Sequence, residues 1–159
     1  MFIKTKVGDS TIFGRGLFAG EPVSRGKIIC FFAIGSEVIS EDRFLQAVRD
    51  KEAGIVRTGT RYAGKYFTHG NEQEPYTFIN HSFEPNLLCH CGIVIARRDI
   101  EVGEELTLDY RYLVDDTDIG VYHDAATDRA IRGFSARQTF LDTALELIEI
   151  IESDKLWQG

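Results

Sequence analysis

Proline, methionine, tryptophan and cysteine are all scarce in this sequence, with 3 Pro, 1 Met, 1 Trp and 3 Cys among 159 residues. So little proline, with no repeated low-complexity tract, excludes collagen-like chains, and 43% hydrophobic residues exclude a wholly disordered one. No apolar run approaches the roughly 18 residues that a bilayer-spanning helix needs. Met1 to Lys6 leads into Gly8-Asp9-Ser10 without the hydrophobic stretch of a signal peptide. The expectation is therefore an intracellular, cytoplasmic protein (nuclear if the source is eukaryotic) with no membrane partner. Three cysteines, an odd and small number, argue against a secreted disulfide framework. Cys89 and Cys91 flank His90, but two thiols and one imidazole in consecutive positions cannot close a tetrahedral zinc site without ligands from elsewhere. No metal is expected.

Positive charge is also in short supply. Eighteen Lys and Arg face 25 Asp and Glu, a net charge of -7, which argues against direct binding to a nucleic-acid backbone. From Asp99 to Asp128 ten acids stand against Arg111 alone, a local balance of -9 that leaves the rest of the chain at +2. Such a patch attracts a cationic ligand or a Lys/Arg-rich peptide. A solvated acidic loop that keeps the protein soluble has the same composition.

A chain of 17.9 kDa can build one hydrophobic core and is short for two domains. Much of the first 110 residues reads as short β-runs broken by Gly and Pro. Leu17-Phe18-Ala19 follows Gly14-Arg15-Gly16, and Ile28 to Ile34 and Ile93 to Ala96 are apolar strands. Gly26 and Gly103 sit in charged, turn-like tetrads just before strands. Two helices are predicted. Ser40 caps a short one whose Glu41 and Asp42 suit its positive N-terminal end, with Phe44, Leu45 and Val48 on the apolar face. The second runs from Ser135 to about Glu152, with Ser135 and Gln138 at capping-box spacing and an apolar stripe of Phe140, Ala144, Leu147, Ile148 and Ile151. Leu141 and Leu145 widen that stripe enough to serve the core and a homodimer contact together. Val114 to Gly133, polar and acidic, reads as loop.

Three stretches carry unusual residues together: Gly14-Arg15-Gly16-Leu17-Phe18, Phe78-Ile79-Asn80-His81-Ser82-Phe83-Glu84-Pro85-Asn86, and Gly103-Glu104-Glu105-Leu106-Thr107-Leu108-Asp109-Tyr110. Singly each has a plain explanation. Gly-x-Gly is a common tight turn, buried polar groups such as Asn80 and His81 need partners of any kind, and a tyrosine at a strand end is by default part of a core.

In this order and spacing, from about Phe13 to Tyr112, they resemble the SET-domain family of S-adenosylmethionine-dependent protein lysine methyltransferases. The resemblance implies a mainly β, β-clip-like fold of several small sheets with a pseudoknot, plus a short insert helix and a C-terminal amphipathic helix. Residues 1–113 would form the catalytic core, and 114–159 an acidic loop and helix packed on it as one domain. It also implies S-adenosylmethionine as cofactor. Gly14, Arg15, Gly16 and Leu17 would line its methionine end, Asn80 and His81 would hold its amino group and adenine, and Tyr110 would be the catalytic tyrosine. Phe32, Cys89, Leu108 and Tyr112 would line the substrate lysine channel. The implied partner is a protein with a basic, lysine-containing segment.

The sequence departs from the family in two places. The channel tyrosines usual in the family are replaced, by Phe31 and Phe32 on one strand and by Leu87, Leu88 and Cys89 on another, and Thr77 stands where the family's motif has Arg. The zinc-binding Cys-x-Cys-x4-Cys-Arg-Gly that follows many SET cores survives only as Ile131-Arg132-Gly133, with Asp124 and Ala126 where the other cysteines would stand. The C-terminal helix is then the candidate to close the channel, with Tyr122 or Trp157 as an aromatic wall. Loss of these groups keeps two alternatives open: a catalytically weak or inactive SET-like binding or scaffold module, and a methyltransferase for a small amine.

Overall fold

The computed structural model describes residues 1–32, 36–70, 74–114, 122–125, 127–153 and 157. In chain order its strands and helices are β1 (Thr5–Asp9), β2 (Arg15–Ala19), β3 (Ile28–Phe31), β4 (Glu37–Ser40), α1 (Glu41–Arg49), α2 (Ala53–Thr58), β5 (Thr60–Ala63) and β6 (Tyr66–His69). These are followed by β7 (Asn80–His81), β8 (Leu87–His90), β9 (Ile93–Ala96), β10 (Thr107–Leu108), β11 (Tyr122–His123), β12 (Ala130–Ile131) and α3 (Ala136–Ser153).

These strands form small sheets, as expected of a mainly β SET-like fold with a C-terminal helix. β1 and β2 make a hairpin, β3, β9 and β8 an antiparallel sheet in that order, and β4, β6 and β5 another. The main core lies between the hairpin, the β3-β9-β8 sheet and the segment leading into β10, where Leu17, Ile29, Val94, Ala96, Ile100 and Leu106 are buried. The insert between β4 and β6 has a small core of its own, in which Phe44 stacks on Phe67 with ring centroids 4.2 Å apart. Ser40 caps α1 as predicted, its hydroxyl accepting from the Arg43 N–H at 3.2 Å.

The pairing that matters most for function is the only parallel one among the described residues. β10 runs beside β7 with Thr107 opposite Asn80 and Leu108 opposite His81. Two residues 27 apart in sequence are thereby neighbours, and the last motif crosses the Asn-His corner. Asn86 pins the crossing: its Nδ2 donates to the Glu105 carbonyl at 2.8 Å and its Oδ1 accepts from the Thr107 N–H at 2.8 Å.

Three expectations need correction. β3 ends at Phe31, because Phe32 turns away to donate its N–H to the Gly92 carbonyl; Ala33 and Ile34 lie outside the described residues. The segment read as loop contains the β11–β12 hairpin, whose short strands and polar turn leave no hydrophobic period to detect. α3 starts where Ser135 accepts from the Gln138 N–H, but its buried face is Thr143, Leu147 and Ile150, packed on Leu88 and Ile95. The stripe read from the sequence is rotated, since Phe140, Leu141, Leu145 and Ile148 stay exposed. A polar anchor fixes the rotation: His90 Nδ1 lies 2.8 Å from the Thr143 hydroxyl. No helix among the described residues is long and apolar enough to cross a membrane.

Candidate active site

Beside the β7/β10 crossing lies a cavity of about 740 Å³. Of the residues singled out from the sequence, Arg15, Phe32, Asn80, His81, Leu108 and Tyr110 line it together. They come from four separate stretches of chain, which β2, β3, β7 and β10 bring to one place.

Tyr110 follows β10, where the chain leaves extended structure for a single 3-10 turn over residues 110–112. Its hydroxyl donates to the Ile79 carbonyl at 2.7 Å, and its N–H donates to His81 Nδ1 at 3.1 Å. The second bond fixes the imidazole tautomer: Nδ1 accepts, so the proton of the neutral ring sits on Nε2. Burial holds the His81 pKa below the ordinary histidine value, which keeps the ring neutral. Nε2 is buried and has no hydrogen bond of ordinary geometry among the described residues.

Asn80 is anchored just as tightly. Its Nδ2 lies 2.7 Å from Glu105 Oε1 and 3.1 Å from each of the Phe13 carbonyl, the Arg15 carbonyl and the Ser10 hydroxyl. The guanidinium of Arg15 lies over the Phe78 ring at 5.2 Å. Gly14 and Gly16 act on the backbone. Gly14 has φ +49, a conformation that disfavours a side chain, and a Cβ on Gly16 would sit 2.2 Å from Glu105 Oε1. Leu17 is fully buried in the core.

Cys89 and Tyr112 lie apart from the large cavity. Cys89 alternates inward on β8 and is buried, which pushes its thiol pKa up to about 12. Tyr112 leaves the other side of the 3-10 turn and packs on Phe134 at 5.0 Å. In their place the structure supplies a residue that sequence reading missed. Tyr76 lines the cavity with its ring 5.0 Å from Phe32, the position where the resemblance leads one to expect a phenol. Burial raises the Tyr76 pKa, so it stays a neutral hydroxyl. Its place five residues before His81, in a short 3-10 segment after Pro75, falls outside the motif, and only that local turn could have signalled it.

The far wall comes from the β11–β12 hairpin, with His123, Asp124, Ala125 and Asp128 on the cavity. Asp124 is buried, and its Oδ1 accepts from the Thr127 N–H at 2.9 Å and the Thr127 hydroxyl at 2.5 Å. The hairpin is tied to the Asn-His corner through an aromatic bridge: Arg129 sits 4.2 Å from the Phe83 ring centre, and Phe83 meets His81 edge-on at 4.5 Å. Among the described residues no group of three or more His, Cys, Asp or Glu is placed to hold a metal. Hydrogen bonds in its turn and the Arg129–Phe83 contact hold this hairpin. Trp157 is elsewhere, donating to the Gly26 carbonyl at 3.2 Å. Ala126 and the side chain of Tyr122 lie outside the described residues.

Small sheets, a parallel crossing over an Asn-His corner and a tyrosine held against that corner at the wall of one cavity define a SET-like domain. The SET domain family model matches residues 14–111, and the chain belongs to that family. It is also similar to a protein from Caenorhabditis briggsae named probable histone-lysine N-methyltransferase set-23, at 27% identity, the match covering 67% of this chain and 50% of that protein. The chain thus spans about half the length of the curated relative it matches.

Proposed function

We propose that this chain is an S-adenosylmethionine-dependent protein lysine N-methyltransferase that acts on a basic, lysine-containing segment. The observation that carries the proposal is the clamped Tyr110, held at its hydroxyl by Ile79 and at its N–H by His81 on the wall of a cavity large enough for a nucleoside and a lysine side chain. The residues present fit the cofactor. Asn80 lines the cavity and receives no hydrogen bond at Oδ1 from any described residue, and the carbonyls of Phe13 and Arg15 lie beside it. These are acceptors of the kind that a primary ammonium needs. His81, neutral and with no hydrogen bond of ordinary geometry at its buried Nε2 among the described residues, has a bond to gain.

The bound cofactor supplies an electrophilic methyl group on a sulfonium. The protein must then deliver a neutral lysine nitrogen in line with that methyl. A free lysine has pKa of about 10.4 and is protonated at neutral pH, so the site must favour the amine. The apolar part of the cavity, with Phe32, Leu108, Ile79 and Leu113, removes water from around the nitrogen and lowers its pKa. Tyr110 and Tyr76 place two neutral hydroxyls on that wall, able to accept from the amine and aim its lone pair. Asp124 and Asp128 put acidic groups at the hairpin side, suited to a basic peptide.

Incubation with labelled S-adenosylmethionine and histones or other basic proteins tests the proposal. Transfer to lysine by the wild type and strong loss in Tyr110→Phe are expected. Absence of lysine labelling by a wild-type chain that binds the cofactor would overturn it.

A further inference from the structure

We infer that Glu105 is a positioning residue for Asn80: its carboxylate holds the Asn80 carboxamide with the nitrogen inward, so that Oδ1 is presented to the cavity for the ammonium of an α-amino-acid-bearing nucleoside. This rests on the cofactor reading above and adds to it a residue outside the recognised contacts.

The orientation follows from the chemistry of the neighbours. Around Asn80 Nδ2 stand Glu105 Oε1 at 2.7 Å and the carbonyls of Phe13 and Arg15 at 3.1 Å each, all atoms that only accept. The fourth neighbour, the Ser10 hydroxyl at 3.1 Å, directs its single proton to Glu105, 2.8 Å from Oε1 and 2.9 Å from Oε2, and so faces Asn80 as an acceptor too. Turning the carboxamide over would set Oδ1 against at least three oxygens that cannot donate, while leaving the NH2 without partners. Glu105 is the charged and nearest member of the set, which makes its bond the strongest. It reaches this place because position 16 is glycine: the carboxylate occupies the space where a Cβ at 16 would lie, 2.2 Å from Oε1. The Glu-Glu pair is therefore divided in its work. Glu104 joins Asn86 and Arg98 in holding the crossing, and Glu105 orients the Asn80 carboxamide.

Calorimetric titration of the full chain with two ligands tests this. S-adenosylhomocysteine carries the ammonium; methylthioadenosine has the same nucleoside and lacks the amino-acid portion. Glu105→Ala is expected to weaken S-adenosylhomocysteine by about tenfold to a hundredfold, the range for one hydrogen bond to a charged group, and methylthioadenosine by less than about twofold. Glu105→Gln keeps the shape and one acceptor oxygen, so it should recover part of the loss, and it carries the comparison if the alanine variant does not fold. Glu105→Ala added to Asn80→Ala should weaken binding no further than Asn80→Ala alone. Equal losses for both ligands, no loss for either, or additive losses in the double variant would each overturn the inference. Should the wild type bind neither nucleoside, the cofactor reading fails on its own. The carboxamide's orientation is then decided by the Asn80 side-chain NH2 resonances, assigned by their disappearance in Asn80→Asp. Slow exchange in the wild type and a displaced pair in Glu105→Gln support it; fast exchange or unmoved resonances sink it.

Discussion

The hydroxyl of Tyr110 donates to the carbonyl of Ile79 at 2.7 Å, a bond between a side chain at the end of the last motif and the backbone at the start of the Asn-His corner. Because Thr107 and Leu108 run parallel to Asn80 and His81, the tyrosine two residues on has nowhere to go but across the mouth of that corner. The phenol is thus fixed by the strand crossing before any ligand arrives, which is the preorganisation a positioning hydroxyl requires.

Tyr110→Phe removes that hydroxyl and little else. The Ile79 carbonyl loses one partner, a cost of about 1 kcal/mol in stability. The methyl-transfer rate is expected to fall by about a hundredfold or more, the scale of losing one preorganised group at a reacting centre. Cofactor affinity should hold within about threefold, because the cofactor contacts assigned to Asn80 and His81 are intact. Single-turnover kinetics with labelled cofactor, alongside thermal melting, separates these effects. A rate within a factor of a few of wild type would remove Tyr110 from its assigned role.

Tyr76 is the second hydroxyl of the wall, packed on Phe32 at 5.0 Å. Tyr76→Phe keeps the ring contact, so stability should change by less than about 1 kcal/mol. The hydroxyl's loss removes an acceptor that competes for the orientation of the substrate nitrogen. With that hydroxyl gone there is more room beside the nitrogen for methyl groups, so the variant should shift products toward higher methylation states. Mass spectrometry of a reacted peptide reads that distribution directly, and an unchanged ratio of states would place Tyr76 outside the lysine channel.

The residues of the site were legible in the sequence to the extent that they lie in contiguous motifs. Asn80, His81 and Tyr110 stand out because polar groups follow apolar runs at fixed spacing, and all three line the cavity. Tyr76, outside the motifs, and the role of Glu105, within one, escaped because their importance comes from what they touch: a Phe 44 residues away and an Asn 25 residues away. Among the fold elements, α1 and α3 were visible through their caps, whereas the rotation of α3 depends on tertiary partners, His90 at Thr143, Arg97 at Glu146 and the surface of Leu88 and Ile95 under Leu147 and Ile150, which no helical period encodes. Cys89 and Tyr112 were assigned to the channel by position along the chain, and the pleat of β8 and the turn after Tyr110 send them elsewhere.

His81 and His90 should make the fold sensitive to mild acid. Burial lowers both pKa values in the folded chain, His90 against Thr143 and Phe140 and His81 under Tyr110 and Phe83. Unfolded, each titrates near the ordinary histidine value of about 6.5. As pH falls through that value the unfolded chain takes up protons first, so the native state loses stability from about pH 6.5 downward until the depressed folded values are passed. Above that pH the two histidines contribute no slope. Urea denaturation between pH 8 and pH 5 should show this fall, and His90→Gln, which retains a donor for Thr143, should flatten part of it. A flat wild-type profile over that range would mean that the rings are exposed to water in the folded protein.

Asp124, at a position where the family resemblance leads one to expect a cysteine, works here as a turn residue: Oδ1 accepts from both the N–H and the hydroxyl of Thr127 and so closes the β11–β12 hairpin. Asp124→Ala removes both bonds to Thr127, and because Thr127 is exposed its N–H can turn to water, so the expected cost is about 1 kcal/mol. Asp124→Asn keeps an acceptor at the same place and should restore much of it. The Arg129–Phe83–His81 bridge, at 4.2 Å and 4.5 Å, joins the hairpin to the Asn-His corner, so a loosened turn should propagate to that bridge, and Asp124→Ala and Arg129→Ala should both weaken cofactor binding. Cation–π contacts of this kind are worth about 0.5 to 2 kcal/mol, which sets the Arg129 effect at about twofold to thirtyfold. A chelator is the control that distinguishes this closure from a metal clasp. If hydrogen bonds and rings hold the hairpin, EDTA leaves the melting temperature unchanged while Asp124→Ala lowers it. A melting temperature that drops with EDTA and is restored by zinc would show instead that Asp124 serves as a ligand.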